Sequence, residues 1–176
     1  MMNTPRIFAI IAATIDGRIA YHAEHPTTWT SPEDKVSLRS LLDESGVIVV
    51  GRRTYDLARE PLSKRNCIVL TRSVPASEQQ NGKMLLLNPA GASLPNALEK
   101  YPTVAVLGGT QTYTYCLEND LLDELYLTIE PVVFGKGLPI FSTDRETEVS
   151  FVLRDVERLN ANGTILFHYK RQKTDG

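Results

Sequence analysis

Two stretches of the chain bring glycine, cations and hydroxyls together in the same way: "VIVVGRRTYD", residues 47–56, and "VAVLGGTQTY", residues 104–113. Each passes from β-branched residues through glycine into a polar, threonine-containing helix start. Glycine in that position either turns the backbone sharply or lets something approach it closely. A helix N-terminus offers free N–H groups and a partial positive charge, so two such turns suit the two ends of one extended phosphate ligand. Arg52, Arg53 and Thr54 follow Gly51, while Thr71, Arg72 and Ser73 follow the next apolar run. Arginine forks match phosphate geometry. The plainer alternative, helix entries flanked by solvated arginines, stays open on spacing alone. Neither a Walker A sequence nor a strict GxGxxG is present.

The elements that must position these residues follow from periodicity. Apolar runs of strand length occur at 7–13, 47–51, 67–71, 84–87 and 104–109. Most are too continuous for half-exposed strands and read as strands covered on both faces. Residues 31–45 predict a helix, with a capping Ser31, Pro32 in the first turn, Glu33 and Asp34, and Val36, Leu38, Leu41 and Leu42 spaced for burial. Residues 91–101 and 110–122 are further helix candidates. After residue 123 the pattern changes: 123–134 reads as a long strand, and 150–172 as two strands meeting at Asn162-Gly163, a pair suited to a tight hairpin turn. Strand and helix alternate first and an antiparallel hairpin closes the chain, which predicts a mainly parallel α/β sheet with an antiparallel edge.

Composition narrows the function classes. The 176 residues fit one domain, 42% hydrophobic and 23% charged residues are ordinary for a globular protein, and a formal charge of -2 gives no basic field for nucleic acid. No run approaches the roughly 18 apolar residues of a membrane span. Cys67 and Cys116 lie in no CxxC and read as buried thiols of a reducing, cytoplasmic compartment. His22, His25 and His168 lack the spacing of a metal site, so no metal is expected.

Five stretches in order carry a resemblance: "ATIDGRIA" (13–20), "WTSPEDK" (29–35), "VVGRRTYD" (49–56), "VLGGTQTY" (106–113) and "LLDELYLTIEPVVFGKGLPIF" (121–141). Together they resemble the dihydrofolate-reductase-like superfamily, and within it the reductase domain of the bifunctional riboflavin-biosynthesis deaminase/reductase. The resemblance implies a single reductase domain over residues 1–176, with a mainly parallel twisted sheet, flanking helices and an antiparallel C-terminal hairpin. It also implies NADPH as hydride donor, a small heterocyclic substrate and a homodimer. The implied reaction is that of a 5-amino-6-(5-phosphoribosylamino)uracil reductase; reduction of dihydrofolate or another pterin is the alternative, and an NADPH-binding module without chemistry a second.

By the same resemblance, Gly51, Arg52, Arg53 and Thr54 meet the cofactor phosphates, and Thr71, Arg72 and Ser73 lie near the adenosine 2'-phosphate. Gly108, Gly109, Thr110 and Gln111 contact the diphosphate and nicotinamide side, with Ala12 and Trp29 also against the cofactor. Asp34 completes both a "W-x-x-P-x-D" and an "S-x-E-D-K" pattern and is the implied acid at the substrate ring. Thr27, Arg39, Leu62 and Arg65 fall at substrate-contact positions. Two departures stand out: Leu42 and Leu107 replace an arginine and a glutamate that riboflavin reductases tend to aim at substrate. The zinc motif of the deaminase half is missing.

Overall fold

The computed structural model describes residues 4–172. The chain runs β1 (Arg6–Thr14), β2 (Arg18–Ala20), α1 (Pro32–Glu44), β3 (Val47–Gly51), α2 (Arg52–Leu57), α3 (Arg59–Leu62), β4 (Cys67–Leu70), β5 (Ser77–Asn81) and β6 (Met84–Leu87). It continues through α4 (Leu94–Leu98), β7 (Thr103–Val106), α5 (Thr110–Glu118), β8 (Glu124–Glu130), β9 (Leu138–Pro139), β10 (Phe151–Arg158) and β11 (Ile165–Arg171). Nine strands form one sheet in the order β10-β11-β8-β1-β7-β3-β4-β6-β5, and β2 pairs with β9 in a separate ribbon.

Strands β8, β1, β7, β3, β4 and β6 are mutually parallel, with antiparallel strands at both ends. Their continuous apolar character follows from being covered twice. Ile7, Ala9, Ile11, Val47, Val49, Val104 and Val106 point to one core with Tyr113, Cys116 and Leu117 of α5 and Leu94 and Leu98 of α4. Phe8, Ile10, Ile48, Val50, Val69 and Ala105 point to the other, against Leu41 and Leu42 of α1, Tyr55 and Leu62. Alternation along each strand therefore feeds two cores.

The differences from the sequence reading have local causes. Val36, expected in the core, is 61% exposed; α1 instead buries Asp34, Leu41 and Leu42. The helix expected over 110–122 ends at Glu118, where Asp120 adopts a left-handed backbone conformation and the chain turns into β8. The long strand expected to 134 stops at Glu130 because Pro131 has no N–H for the ladder. β5 escaped notice because all five of its residues are exposed, so no apolar pattern marks it. The hairpin turn is longer than Asn162-Gly163. Asn160 Oδ1 accepts the N–H groups of Gly163 and Thr164, both at 3.1 Å, and this side-chain turn spreads the loop over four residues. Among the described residues no helix is long and apolar enough to cross a membrane.

Candidate active site

The two glycine turns meet at the carboxyl ends of β3 and β7. The Gly51 N–H donates to the Gly108 carbonyl at 2.7 Å, so the two helix entries are joined directly. A Cβ on Gly51 would lie 2.9 Å from Thr112 Oγ1. Gly108 has φ +100, and a Cβ there would stand 3.0 Å from the Tyr113 ring. Glycine is thus required first by the protein's own packing of turn against turn. Beyond that contact the backbone of Gly109, Thr110 and Gln111 opens α5, where the first N–H groups of a helix have no intrahelical acceptor. Thr54 Oγ1 lies 3.5 Å from where a Gly109 Cβ would be, which brings the first turn's hydroxyl to the second turn. Thr110 Oγ1 donates to the Pro139 carbonyl of β9 at 2.5 Å. The peptide between Gly108 and Gly109 is cis.

The cations divide into two kinds. Arg52 is paired with Asp56 at 3.0 Å on its own helix. Arg53 and Arg72 are exposed and take part in no ion pair among the described residues. Thr71 Oγ1 accepts the Ser73 N–H at 3.1 Å, which shapes the loop after β4 into a compact turn carrying Arg72 at its tip. Arg53, Arg72 and Ser73 thus remain available to an anion beyond the strand ends.

On the other side of β1 lies a buried polar group. β1 and β8 run in register with Ala12 beside Thr128 and Thr14 beside Glu130. Asp34, in the first turn of α1, is 7% exposed. Its N–H donates to Ser31 Oγ at 3.2 Å, the helix cap anticipated from sequence. Burial pushes the Asp34 carboxyl up from its ordinary range and the Glu130 charge adds to this, while the hydroxyls of Thr128 and Thr30 and the Lys35 ammonium pull the other way. The Asp34 charge also reaches Tyr113, whose hydroxyl donates to the Ile10 carbonyl at 2.5 Å and whose ring backs Gly108. Asp34 and the glycine turns thus lie at the same, carboxyl end of the parallel strands, the first through the Ser31 bond to Glu130 and the second through Gly51 and Gly108.

A loop and an aromatic cluster frame this region. Asp16 accepts from Thr14 Oγ1 at 2.6 Å and from the N–H groups of Phe134 and Gly135 at 3.1 and 2.8 Å. The Thr14 hydroxyl chiefly holds the Asp16 carboxyl down to about 2. Trp29 ends a short 3-10 turn that begins at Thr27, and its ring meets Phe134 edge-on at 5.0 Å. Trp29 Nε1 is buried with no partner among the described residues, and so is Nε of Arg18, whose Nη1 donates to the Gly137 carbonyl at 3.2 Å.

Several residues named from sequence are not brought to this crevice. Leu62 is 2% exposed inside the core under α3. Arg65 precedes β4, at the opposite end of the sheet, where it pairs with Asp43 at 2.5 Å. The physical reason is that α2 and α3 carry the chain from the carboxyl end of β3 back to the amino end of β4. Arg39 is exposed on α1, and its Nε donates to the Lys35 carbonyl at 3.3 Å. Thr27 is exposed at the edge of the aromatic cluster. Leu42 is core, and Leu107 packs against the same cluster. His22 and His25 sit in the exposed loop after β2, and His168 bonds Glu124 at 2.6 Å, far from either turn.

Thr128, Glu130, Thr164 and Tyr113 belong to the polar group and were not singled out from sequence. The signal for two of them lies in "ELYLTIE", where Glu124, Thr128 and Glu130 share one face of a strand whose other side chains are mostly apolar. Carboxylates and hydroxyls inside a central strand mark a polar site.

Comparison with known proteins bears on the family and the fold. The chain is 29% identical to the dihydrofolate reductase type 8 of Escherichia coli over 111 residues, covering 61% of this chain and 64% of that one. Two solved structures share the fold. The Thermotoga maritima diaminohydroxyphosphoribosylaminopyrimidine deaminase/5-amino-6-(5-phosphoribosylamino)uracil reductase aligns with TM-score 0.72 and 19% identity, over 96% of this chain and 57% of that one. The Enterococcus faecalis dihydrofolate reductase complexed with NADP(H) aligns with TM-score 0.67 and 22% identity, over 98% and 100%. The family model for dihydrofolate reductase matches residues 6–136, which hold both glycine turns, Asp34 and the end of β8, and the chain belongs to the dihydrofolate reductase family.

Proposed function

We propose that this chain is an NADPH-dependent reductase of a small nitrogen heterocycle, with a pterin such as dihydrofolate favoured by the geometry. The observation that carries the reading is the buried Asp34 carboxyl, in a helix turn bonded to the carboxyl end of β8, at the same end of the sheet where the two glycine turns join. This supports a proton-holding acid on one side of a crevice and an anion cradle on the other. The cradle fits a dinucleotide phosphate: open N–H groups at Gly109, Thr110 and Gln111, the Thr54 hydroxyl, and the free cations Arg53 and Arg72 with Ser73 for a 2'-phosphate. NADPH, when bound, supplies the hydride.

The protein's own residues supply the rest. Burial keeps Asp34 protonated to higher pH than an ordinary carboxyl, so it can hold or relay a proton for the ring nitrogen as hydride reaches the adjacent carbon of a C=N bond. Its oxygens also suit the N–H edge of an amino-substituted ring. Asp16 pins the loop at Phe134 and Gly135, and the Trp29 and Phe134 rings exclude water.

A ribosylaminopyrimidine phosphate is the second reading. The residues the resemblance assigned to its sugar phosphate, Leu62 and Arg65, lie elsewhere, yet Arg18 has a buried Nε without a partner among the described residues, and β2, which carries it, pairs with β9, where Pro139 accepts from Thr110. The test is NADPH oxidation by the purified protein with dihydrofolate and, in parallel, with the deaminated ribosylaminopyrimidine phosphate. Turnover of dihydrofolate alone supports the first reading. Turnover of the pyrimidine alone replaces it with the second, and NADPH binding without turnover of either refutes both.

A further inference from the structure

Glu130 is 4% exposed at the last position of β8, and the phosphate cradle makes no use of it. Its Oε1 accepts the Ser31 N–H at 2.7 Å and its Oε2 accepts the Thr164 hydroxyl at 2.8 Å. Ser31 caps α1 and receives the Asp34 N–H. Thr164 closes the β10–β11 turn, where Asn160 Nδ2 donates to Thr164 Oγ1 at 2.9 Å and to Glu33 Oε2 at 3.2 Å. Three segments distant in sequence, the first turn of α1, the end of β8 and the C-terminal hairpin turn, therefore join at one carboxylate.

Both partners of Glu130 are uncharged donors, and it forms no ion pair among the described residues. A neutral acceptor would satisfy the same bonds at less desolvation cost. A carboxylate there strengthens both bonds and suits the N-terminus of α1, and its nearest titratable neighbour in that turn is Asp34.

We propose that Glu130 is the positioning residue of Asp34, clamping the first turn of α1 to β8 and the hairpin turn and setting its own carboxyl group against the turn that carries Asp34. This rests on the reductase reading of the site. The groups facing Asp34 are Lys35 on its own helix, Glu130 on β8 and Tyr113 on α5, with the hydroxyls of Thr30 and Thr128. Of these, Glu130 alone both touches the Asp34 helix cap and raises the carboxyl by like charge.

The test uses Glu130→Gln, which keeps shape and one acceptor oxygen, and Thr164→Val, which keeps the charge and removes the hairpin strut. The Asp34 carboxyl is titrated by carbon NMR in protein labelled at aspartate, with Asp34→Asn for assignment, alongside the pH profile of turnover. In Glu130→Gln, Asp34 is expected to ionise at lower pH, and the alkaline fall in kcat moves down with it while KM for NADPH holds. Thr164→Val is expected to lose roughly tenfold in kcat with the profile in place, a cost in line with slight misplacement of a reacting group. An Asp34 titration in Glu130→Gln that coincides with wild type overturns the inference. If wild type turns over no heterocycle, the reductase reading fails by itself, and the NMR titration still decides the coupling of Glu130 to Asp34.

Discussion

Glutamate 124 gives the sharpest test of how this sheet is held together. Its carboxylate, 8% exposed, receives Arg6 Nε at 2.8 Å and Arg6 Nη2 at 2.9 Å, and bonds His168 Nε2 at 2.6 Å. These contacts tie β1, β8 and β11 together at the amino end of the sheet. The Arg6 hydrogen bonds, with the one from His168, hold the carboxyl down from 4.5 to about 2. At ~1.4 kcal/mol for each pH unit, that difference corresponds to roughly 3 kcal/mol of folding stability. Because the folded state holds the proton less tightly than the unfolded chain, the contribution is complete above pH 4.5 and is lost as pH falls toward 2. Glu124→Gln keeps the volume and removes the charge. We expect urea denaturation followed by circular dichroism to show the variant less stable by about 3 kcal/mol at pH 7, with the gap narrowing steadily below pH 4.5. Arg6 stays charged throughout this range, so any cost of stranding it offsets the whole curve without changing its slope. A gap that stays constant from pH 7 to pH 3 would refute the reasoning.

Three further outcomes follow from other parts of the molecule. Gly108→Ala forces a side chain onto a backbone at φ +100 with the Tyr113 ring 3.0 Å away, so unfolding free energy is expected to drop by roughly 1–3 kcal/mol and NADPH titration to weaken; an unchanged melting temperature would contradict it. Arg72→Ala and Arg53→Ala are expected to weaken NADPH far more than NADH in fluorescence titrations, whereas equal losses would move the 2'-phosphate elsewhere. Leu62→Ala, at a side chain 2% exposed, is expected to cost about 2–5 kcal/mol in chemical denaturation while leaving KM for substrate unchanged; a rise in KM at full stability would return Leu62 to the site.

How much was legible in the sequence depends on whether a feature is local. The parallel core, the capped helix with Ser31 and Asp34, the closing hairpin and both glycine turns were all readable, because periodicity, capping chemistry and turn residues act within a few positions of the chain. The reason for the glycines was only half readable. Their placement at strand-to-helix turns followed from local pattern, but the contacts with Thr112 and Tyr113 that exclude a Cβ depend on how two turns 57 residues apart in number dock against each other. Arg65 shows the opposite case: its type and position in a family pattern pointed to substrate, and the return of α2 and α3 to the far end of the sheet put it beside Asp43.

The sequence by itself determined the apolar strands of the parallel core, the capped helix α1 and the acid in its first turn, since those depend on neighbours along the chain. Only the tertiary structure decided that the turn carrying Asp34 would be bonded through Ser31 to Glu130 of β8, and Glu130 to Thr164 of the hairpin turn. That juxtaposition is set by strand register and by the crossing of α1 over the sheet. Burial, and the electrostatics it amplifies, exist only once distant segments have displaced the water between them.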